Sequence, residues 1–106
     1  MRRQLQMAGV VLLAAVVATP VVAQNSGAEV YKSKCQACHG ASGMADSGAG
    51  KAMKVKPVTD PDVKKMSETQ MIEAVRNGMG KMQAYKGKLP DAQIKDAVVH
   101  FRTFLK

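Results

Sequence analysis

Two kinds of apolar pattern divide the chain. Met7 to Ala23 is one continuous uncharged run, whereas from Gln24 onward apolar residues come at intervals. The clearest interval pattern is "LPDAQIKDAVVHFRTFLK", where Ile94, Ala97, Val98, Phe101 and Phe104 recur at spacings of three and four and form one helical stripe. Pro90 stands at its start, where a fixed φ and a missing donor are tolerated. "SETQMIEAVRNG" predicts another helix: Ser67 and Gln70 match a capping box, Met71, Ile72 and Val75 share a face, and Asn77-Gly78 is the stop. "NSGAEVYKSKCQACHG" predicts a first helix, capped by Asn25 or Ser26 and ended at Gly40. "TDPDVKKM" predicts a short one, with Thr59 or Asp60 as cap. "ASGMADSGAGKAMKVKPVT" and "MGKMQAYKGK" are glycine-rich without clear period and predict loops. No segment shows a strand pattern. The expectation is an all-α domain of three main helices plus a short one.

The continuous run has the layout of a secretory leader. Arg2 and Arg3 precede it, and Pro20 with the small residues Val21 and Ala23 closes it. The expected organisation is a signal peptide over residues 1–23, cleaved after Ala23, and a single domain over 24–106. The competing reading is a retained membrane anchor, for which the 17 residues from Met7 to Ala23 sit at the short limit of about 17–25.

Composition sharpens the picture of the domain. The chain carries 16 basic and 8 acidic residues, and the leader removes two of the basic ones and no acidic one, so the domain keeps a positive excess of six. Such a surface suits acidic proteins, anionic lipid or nucleic acid. Export argues against nucleic acid, as does the lack of a basic run interleaved with aromatics. The domain's aromatics are Tyr31, Tyr85, Phe101 and Phe104, with no Trp. A domain of this size has difficulty burying enough apolar surface and needs a staple or a filler.

The candidate chemistry lies in "YKSKCQACHGASG", which holds both cysteines of the chain. On a helix Cys35 and Cys38 are i and i+3 and His39 is i+4, so all three face one side. A planar group laid there can be held at two edges by sulfur while the imidazole reaches its centre. Cys35-Gln36-Ala37-Cys38-His39 is the attachment signature of c-type haem. A thioredoxin-like dithiol wants a βαβ context, and the strand pattern is missing. A structural zinc site wants four Cys/His ligands, and Cys35, Cys38, His39 and His100 are all there are after the leader. A plain disulfide leaves His39 unexplained. A six-coordinate haem takes a second axial ligand, for which a methionine suits electron transfer. Met44, Met53, Met66, Met71, Met79 and Met82 are available, and core filling accounts for most of them. Met79 and Met82 lie between the two strongest helices, far in sequence from His39.

With these residues in view, the chain resembles a small bacterial class I cytochrome c. Cys35 to Gly40 matches the family's attachment motif, and Asn77 to Phe104, "NGMGKMQAYKGKLPDAQIKDAVVHFRTF", resembles its axial-methionine loop and closing helix. The resemblance implies haem c, one per chain, bound through Cys35 and Cys38 with His39 and Met82 on the iron. It implies the class I fold and one-electron transfer rather than an enzyme, in a monomer. It also implies a Pro carbonyl behind the His39 ring, for which Pro57 is the candidate. Three positions depart from the pattern: Gln83 replaces the usual Pro after the ligand, Pro90 replaces a capping side chain, and His100 replaces an aromatic of the closing helix. That aromatic packs near a small residue and an aromatic of the first helix, here Gly27 and Tyr31, so the contact falls to His100 or to Phe101. Lys51, Lys54, Lys56, Lys81, Lys86 and Lys88 flank the expected haem edge and suit docking of an acidic redox partner. The expected place is the periplasm, with membrane contact only if the leader is retained. The alternatives are a haem-based ligand sensor or weak peroxidase with a labile distal methionine, and a membrane-anchored subunit of a respiratory complex.

Overall fold

A computed structural model describes residues 26–105, together with residues 9–12 and 14. The proposed leader falls on the remainder of the N-terminal segment and lies outside the described residues but for those five, which carry no regular structure. Among the described residues no helix is long and apolar enough to cross a membrane.

Six helices follow in order: α1 (Gly27–Lys34), α2 (Gln36–His39), α3 (Gly48–Ala52), α4 (Pro61–Lys64), α5 (Glu68–Asn77) and α6 (Asp91–Arg102). The described residues contain no strand, only isolated bridges between Met79 and Met82 and between Lys86 and Leu89. The expected all-α architecture holds, with two changes. The first expected helix is two: Ser26 Oγ caps α1 by accepting from Glu29 N–H (3.3 Å), and the chain then breaks at Cys35 (φ −117°, ψ −34°) before α2 starts. The expected first loop contains α3. Ser47 Oγ accepts from Gly50 N–H (2.9 Å) to cap α3 and donates to the Ala37 carbonyl (2.6 Å), which ties α3 onto α2.

The other boundaries follow the sequence chemistry. Asp60 caps α4 through Asp62 N–H at 2.8 Å. The capping box of α5 is complete: Gln70 N–H donates to Ser67 Oγ (3.1 Å), and Ser67 N–H donates to Gln70 Oε1 (2.9 Å). Pro90 occupies the N-cap of α6 and offers no side-chain cap.

The core is the crossing of α1 on α6, with α5 also packed on α6. Val30, Tyr31, Ile94, Ala97 and Val98 are buried there. The backbones approach closely at Gly27, where a Cβ would overlap the Asp96 carbonyl. Around Tyr31 the rings of His100 (5.2 Å), Phe101 (6.1 Å) and Phe104 (5.5 Å) gather. The choice posed at the closing helix therefore resolves to both side chains. His100 takes the aromatic place against Tyr31, and Phe101 lies on the turn beside it.

Gly27→Ala should force α1 off α6 and cost about 1–3 kcal/mol, read from denaturant unfolding. Gly48→Ala is the control, because nothing lies within 4 Å of its Cβ position, and it should be neutral or slightly stabilising. Equal stabilities for the two variants would contradict the crossing.

Candidate functional site

The Cys35–His39 segment is placed by α1 and pinned at its far end. Cys35 N–H still donates to the Tyr31 carbonyl (2.8 Å), and His39 N–H donates to the Cys35 carbonyl (3.0 Å), so the motif keeps helical geometry across the break. Tyr31 Oη donates to the Gly40 carbonyl at 2.5 Å, joining the middle of α1 to the residue just after the motif. Gly40 turns the chain with φ +84°, a left-handed conformation suited to glycine. The Tyr31 phenol is raised in pKa, first by burial and then by its neighbours Cys35 and Asp46.

A cavity of about 740 Å³ opens beside the motif, within the usual span of ligand sites, about 300–1,000 Å³. Cys35, Cys38 and His39 line it, Ala97, Val98 and Phe101 of α6 form part of its wall, and Met79, Met82 and Tyr85 contribute from the loop after α5. The structure thus brings together the four residues expected at the site. His100 is not among the lining residues; its ring is engaged with Tyr31 and with Phe104, the latter at 5.2 Å. Among the described residues no group of three or more His, Cys, Asp or Glu side chains gathers to hold a bare metal ion.

The electrostatics of the motif are those of a buried site. Burial pushes the Cys35 thiol up to about 11, whereas redox-active dithiols have pKa values lowered to about 3.5–7.5. Burial also lowers the His39 pKa, which keeps the imidazole neutral with a lone pair to offer. Its ring meets Phe101 in a T-shaped arrangement at 5.4 Å, and its Nδ1 is buried without a hydrogen-bond partner among the described residues. The expected Pro57 support is not made: the Pro57 carbonyl accepts from Asp60 N–H at 2.9 Å.

The two loop methionines differ. Gly78 (φ +83°) reverses the chain after α5, and a Cβ there would come within 3.0 Å of the Met82 carbonyl. Met79 and Met82 then exchange backbone hydrogen bonds of 3.2 and 2.9 Å. Met79 is 60% exposed, while Met82 is half-buried. Returning, Tyr85 and Lys86 N–H groups donate to the Val75 and Arg76 carbonyls (2.9 and 3.0 Å), satisfying acceptors that the end of α5 leaves open. Met71 is a core side chain whose sulfur lies 3.6 Å from Arg102 Nη1. The same nitrogen donates to the Met66 carbonyl at 2.9 Å, a contact that the sequence pattern did not signal.

The lysine ring is smaller than expected. Lys54, Lys56 and Lys81 line the cavity and Lys51, Lys86 and Lys88 do not, while Lys34, not singled out in the sequence, joins them. Lys56 pairs with Asp62 at 2.8 Å, and that hydrogen bond raises its pKa.

The residues present fit a covalently held haem: a cavity of suitable size, two thiols at its wall, and a buried neutral imidazole with a free ring nitrogen. Comparison with known proteins agrees. The family described as cytochrome c oxidase, cbb3-type, subunit III matches residues 22–101. Cytochrome c6 of Leptolyngbya boryana is 33% identical over 75 residues, which are 71% of this chain and 85% of that protein. The solved KustC0563 c-type cytochrome superposes with a TM-score of 0.69 at 28% identity, over 76% of this chain and 99% of its own. A mutant of it gives 0.66 at 26% identity, over 74% and 98%. The chain belongs to this family of c-type cytochromes, as a small monohaem class I member with the all-α fold. It is an electron-transfer protein rather than an enzyme, and it carries haem c through its two cysteines, Cys35 and Cys38.

Tyr31→Phe removes one of two hydrogen bonds to the Gly40 carbonyl, the other coming from Gly43 N–H at 3.2 Å, and should cost about 1 kcal/mol. Because the folded phenol has a raised pKa, its stabilising contribution is complete below the ordinary value of 10.0 and is lost as pH rises beyond it. Unfolding titrations above pH 10.0 should therefore show a shallower fall for Tyr31→Phe than for the wild type.

Proposed function

We propose that this cytochrome is an exported one-electron carrier whose haem iron is held by His39 and Met82. One observation carries the ligand assignment: Met82 lies half-buried on the same cavity as Cys35, Cys38 and His39, whereas its turn partner Met79 is largely exposed. Bound there, haem supplies a one-electron couple, with methionine and histidine ligands favouring a raised potential. The chain's part is to hold the ligands and keep water away. Phe101 covers one edge of the His39 ring, and Met71, Ala97 and Val98 close the wall with apolar surface. Neutral His39 needs no proton released before it ligates.

The partners are redox proteins, docked by an acidic surface on the mouth of the cavity. Lys34, Lys54 and Lys81 stand there, and the Lys56 charge is offset by Asp62. The leader pattern of residues 1–23, with cleavage after Ala23, supports a protein working in the periplasm. The family description names an oxidase subunit, which keeps a membrane-complex role as the second reading; it requires that the leader remain attached. Mass measurement of the exported protein decides between them, since cleavage after Ala23 and one added haem leave a defined mass.

The visible spectrum tests the ligands. Wild-type protein should show a Met–iron charge-transfer band when oxidised and no rapid carbon monoxide binding when reduced. Met82→Ala should lose the band and bind carbon monoxide quickly. A high-spin wild-type spectrum, or a band that survives in Met82→Ala, contradicts the assignment. Charge reversal of Lys81 or Lys54 should slow electron exchange with an acidic partner at low salt, and the difference should shrink as ionic strength rises.

A further inference from the structure

Position 83 carries a glutamine where the family pattern has proline, directly after the proposed ligand. The structure gives that glutamine specific partners. Lys88 Nζ donates to Gln83 Oε1 (2.8 Å), Gln83 Nε2 donates to Tyr85 Oη (3.1 Å), and Tyr85 Oη donates to the Lys34 carbonyl (3.0 Å). An ammonium group can only donate, so Lys88 fixes which end of the amide faces Tyr85. Each link is directional, and together they form one chain from the methionine loop to the last residue of α1. Lys34 immediately precedes Cys35, so the far end of this chain is anchored beside the attachment motif.

Tyr85 is suited to be the relay. Its ring is buried and lines the cavity. Its backbone N–H is fixed to Val75 and its carbonyl accepts from the N–H groups of Lys88 and Leu89. The hydroxyl is therefore held at a set height above α1. Between Met82 and Tyr85 the backbone has no comparable support: among the described residues no hydrogen bond is donated by the N–H of Gln83 or Ala84. A proline at 83 would lose no hydrogen bond and would stiffen the loop by fixing φ. Glutamine cannot do this through its backbone.

We propose that Gln83 is the positioning residue for Met82: its carboxamide, through the Tyr85 hydroxyl, ties the ligand loop to the end of α1 and holds the methionine against the iron. The inference rests on the reading of Met82 as the axial ligand. The chain replaces the stiffness of a proline with a side-chain tether, and removing the tether at either residue frees the same loop.

The test uses the haem-loaded protein and the rate at which imidazole enters the ferric iron, a step that waits for the methionine to leave. Gln83→Ala and Tyr85→Phe should each speed imidazole binding roughly two- to tenfold, the range that one hydrogen bond supplies. The double variant should be no faster than either single one, because both changes cut the same chain. Gln83→Pro should return to the wild-type rate. The global unfolding midpoint of Gln83→Ala should stay near wild type, which separates positioning from loss of fold. A wild-type rate in Gln83→Ala, rates that multiply in the double variant, or a Gln83→Pro as fast as Gln83→Ala would each overturn the proposal. Met82→Ala measured alongside keeps the two readings apart. If its Met–iron band survives, the ligand assignment falls and takes the Gln83 role with it; if the band is lost while Gln83→Ala behaves as wild type, only the Gln83 role falls.

Discussion

The approach of two helix backbones at Gly27 is the constraint from which the rest of the site follows. Only a residue without a side chain lets α1 lie against the Asp96 carbonyl of α6. That approach brings Tyr31 into the ring cluster of His100, Phe101 and Phe104. With the ring fixed, the Tyr31 hydroxyl reaches the Gly40 carbonyl and sets where the attachment motif ends. Phe101, held in the same cluster, meets the His39 ring in a T-shaped arrangement. A contact between two backbones thus bears on the position of an imidazole twelve residues further along, through the Tyr31 and Phe101 rings and the helical hydrogen bonds of the motif.

What could be read from the sequence was what depends on local chemistry. The α5 capping box, the stop at Gly78 and the stripe on α6 are all encoded within a few residues, and they are where expected. The attachment motif was legible for the same reason, because its three side chains are brought together by helical spacing. The break at Cys35 was not legible. Nothing in "SKCQAC" disfavours helix, and the interruption lies where α1 gives way to a segment held by Tyr31 from a distance. Helix α3 escaped because its glycines and alanines carry no periodic signal. It is recruited by Ser47, which bonds both its own first turn and the Ala37 carbonyl. For the lysines, proximity in sequence to the haem segments says nothing about which side of a loop a side chain takes. Lys88 is expected to flank the haem edge, and its ammonium donates to Gln83.

The methionines illustrate how a shared environment divides into roles. Several of them line the cavity, so membership of the wall does not assign a ligand. What separates them is what else each is doing. Met71 has its sulfur beside the Arg102 guanidinium, Met66 is half-buried with its carbonyl held by the same guanidinium, Met53 and Met79 are substantially exposed, and Met82 is half-buried in a loop whose return is stitched to the last carbonyls of α5. Soft, flexible side chains of one type can fill a wall, cover a rim and offer a thioether at once. The domain's small aromatic content is consistent with this, since methionine supplies volume that aromatic rings supply elsewhere.

The bond between Tyr31 and Gly40 closes a triangle. Its corners are the middle of α1, the break at Cys35 and the turn at Gly40, and each side is a short run of hydrogen-bonded backbone or one side-chain contact. The closing bond restrains bending at the break. For electron transfer this has an energetic meaning. When the charge at the centre of the site changes by one, groups free to relax must rearrange, and that reorganisation energy enters the barrier. Dipoles and ligands already fixed in place avoid it. If His39 is the ligand as proposed, its mounting on a triangulated segment limits how far that ligand must move when the charge of the site changes.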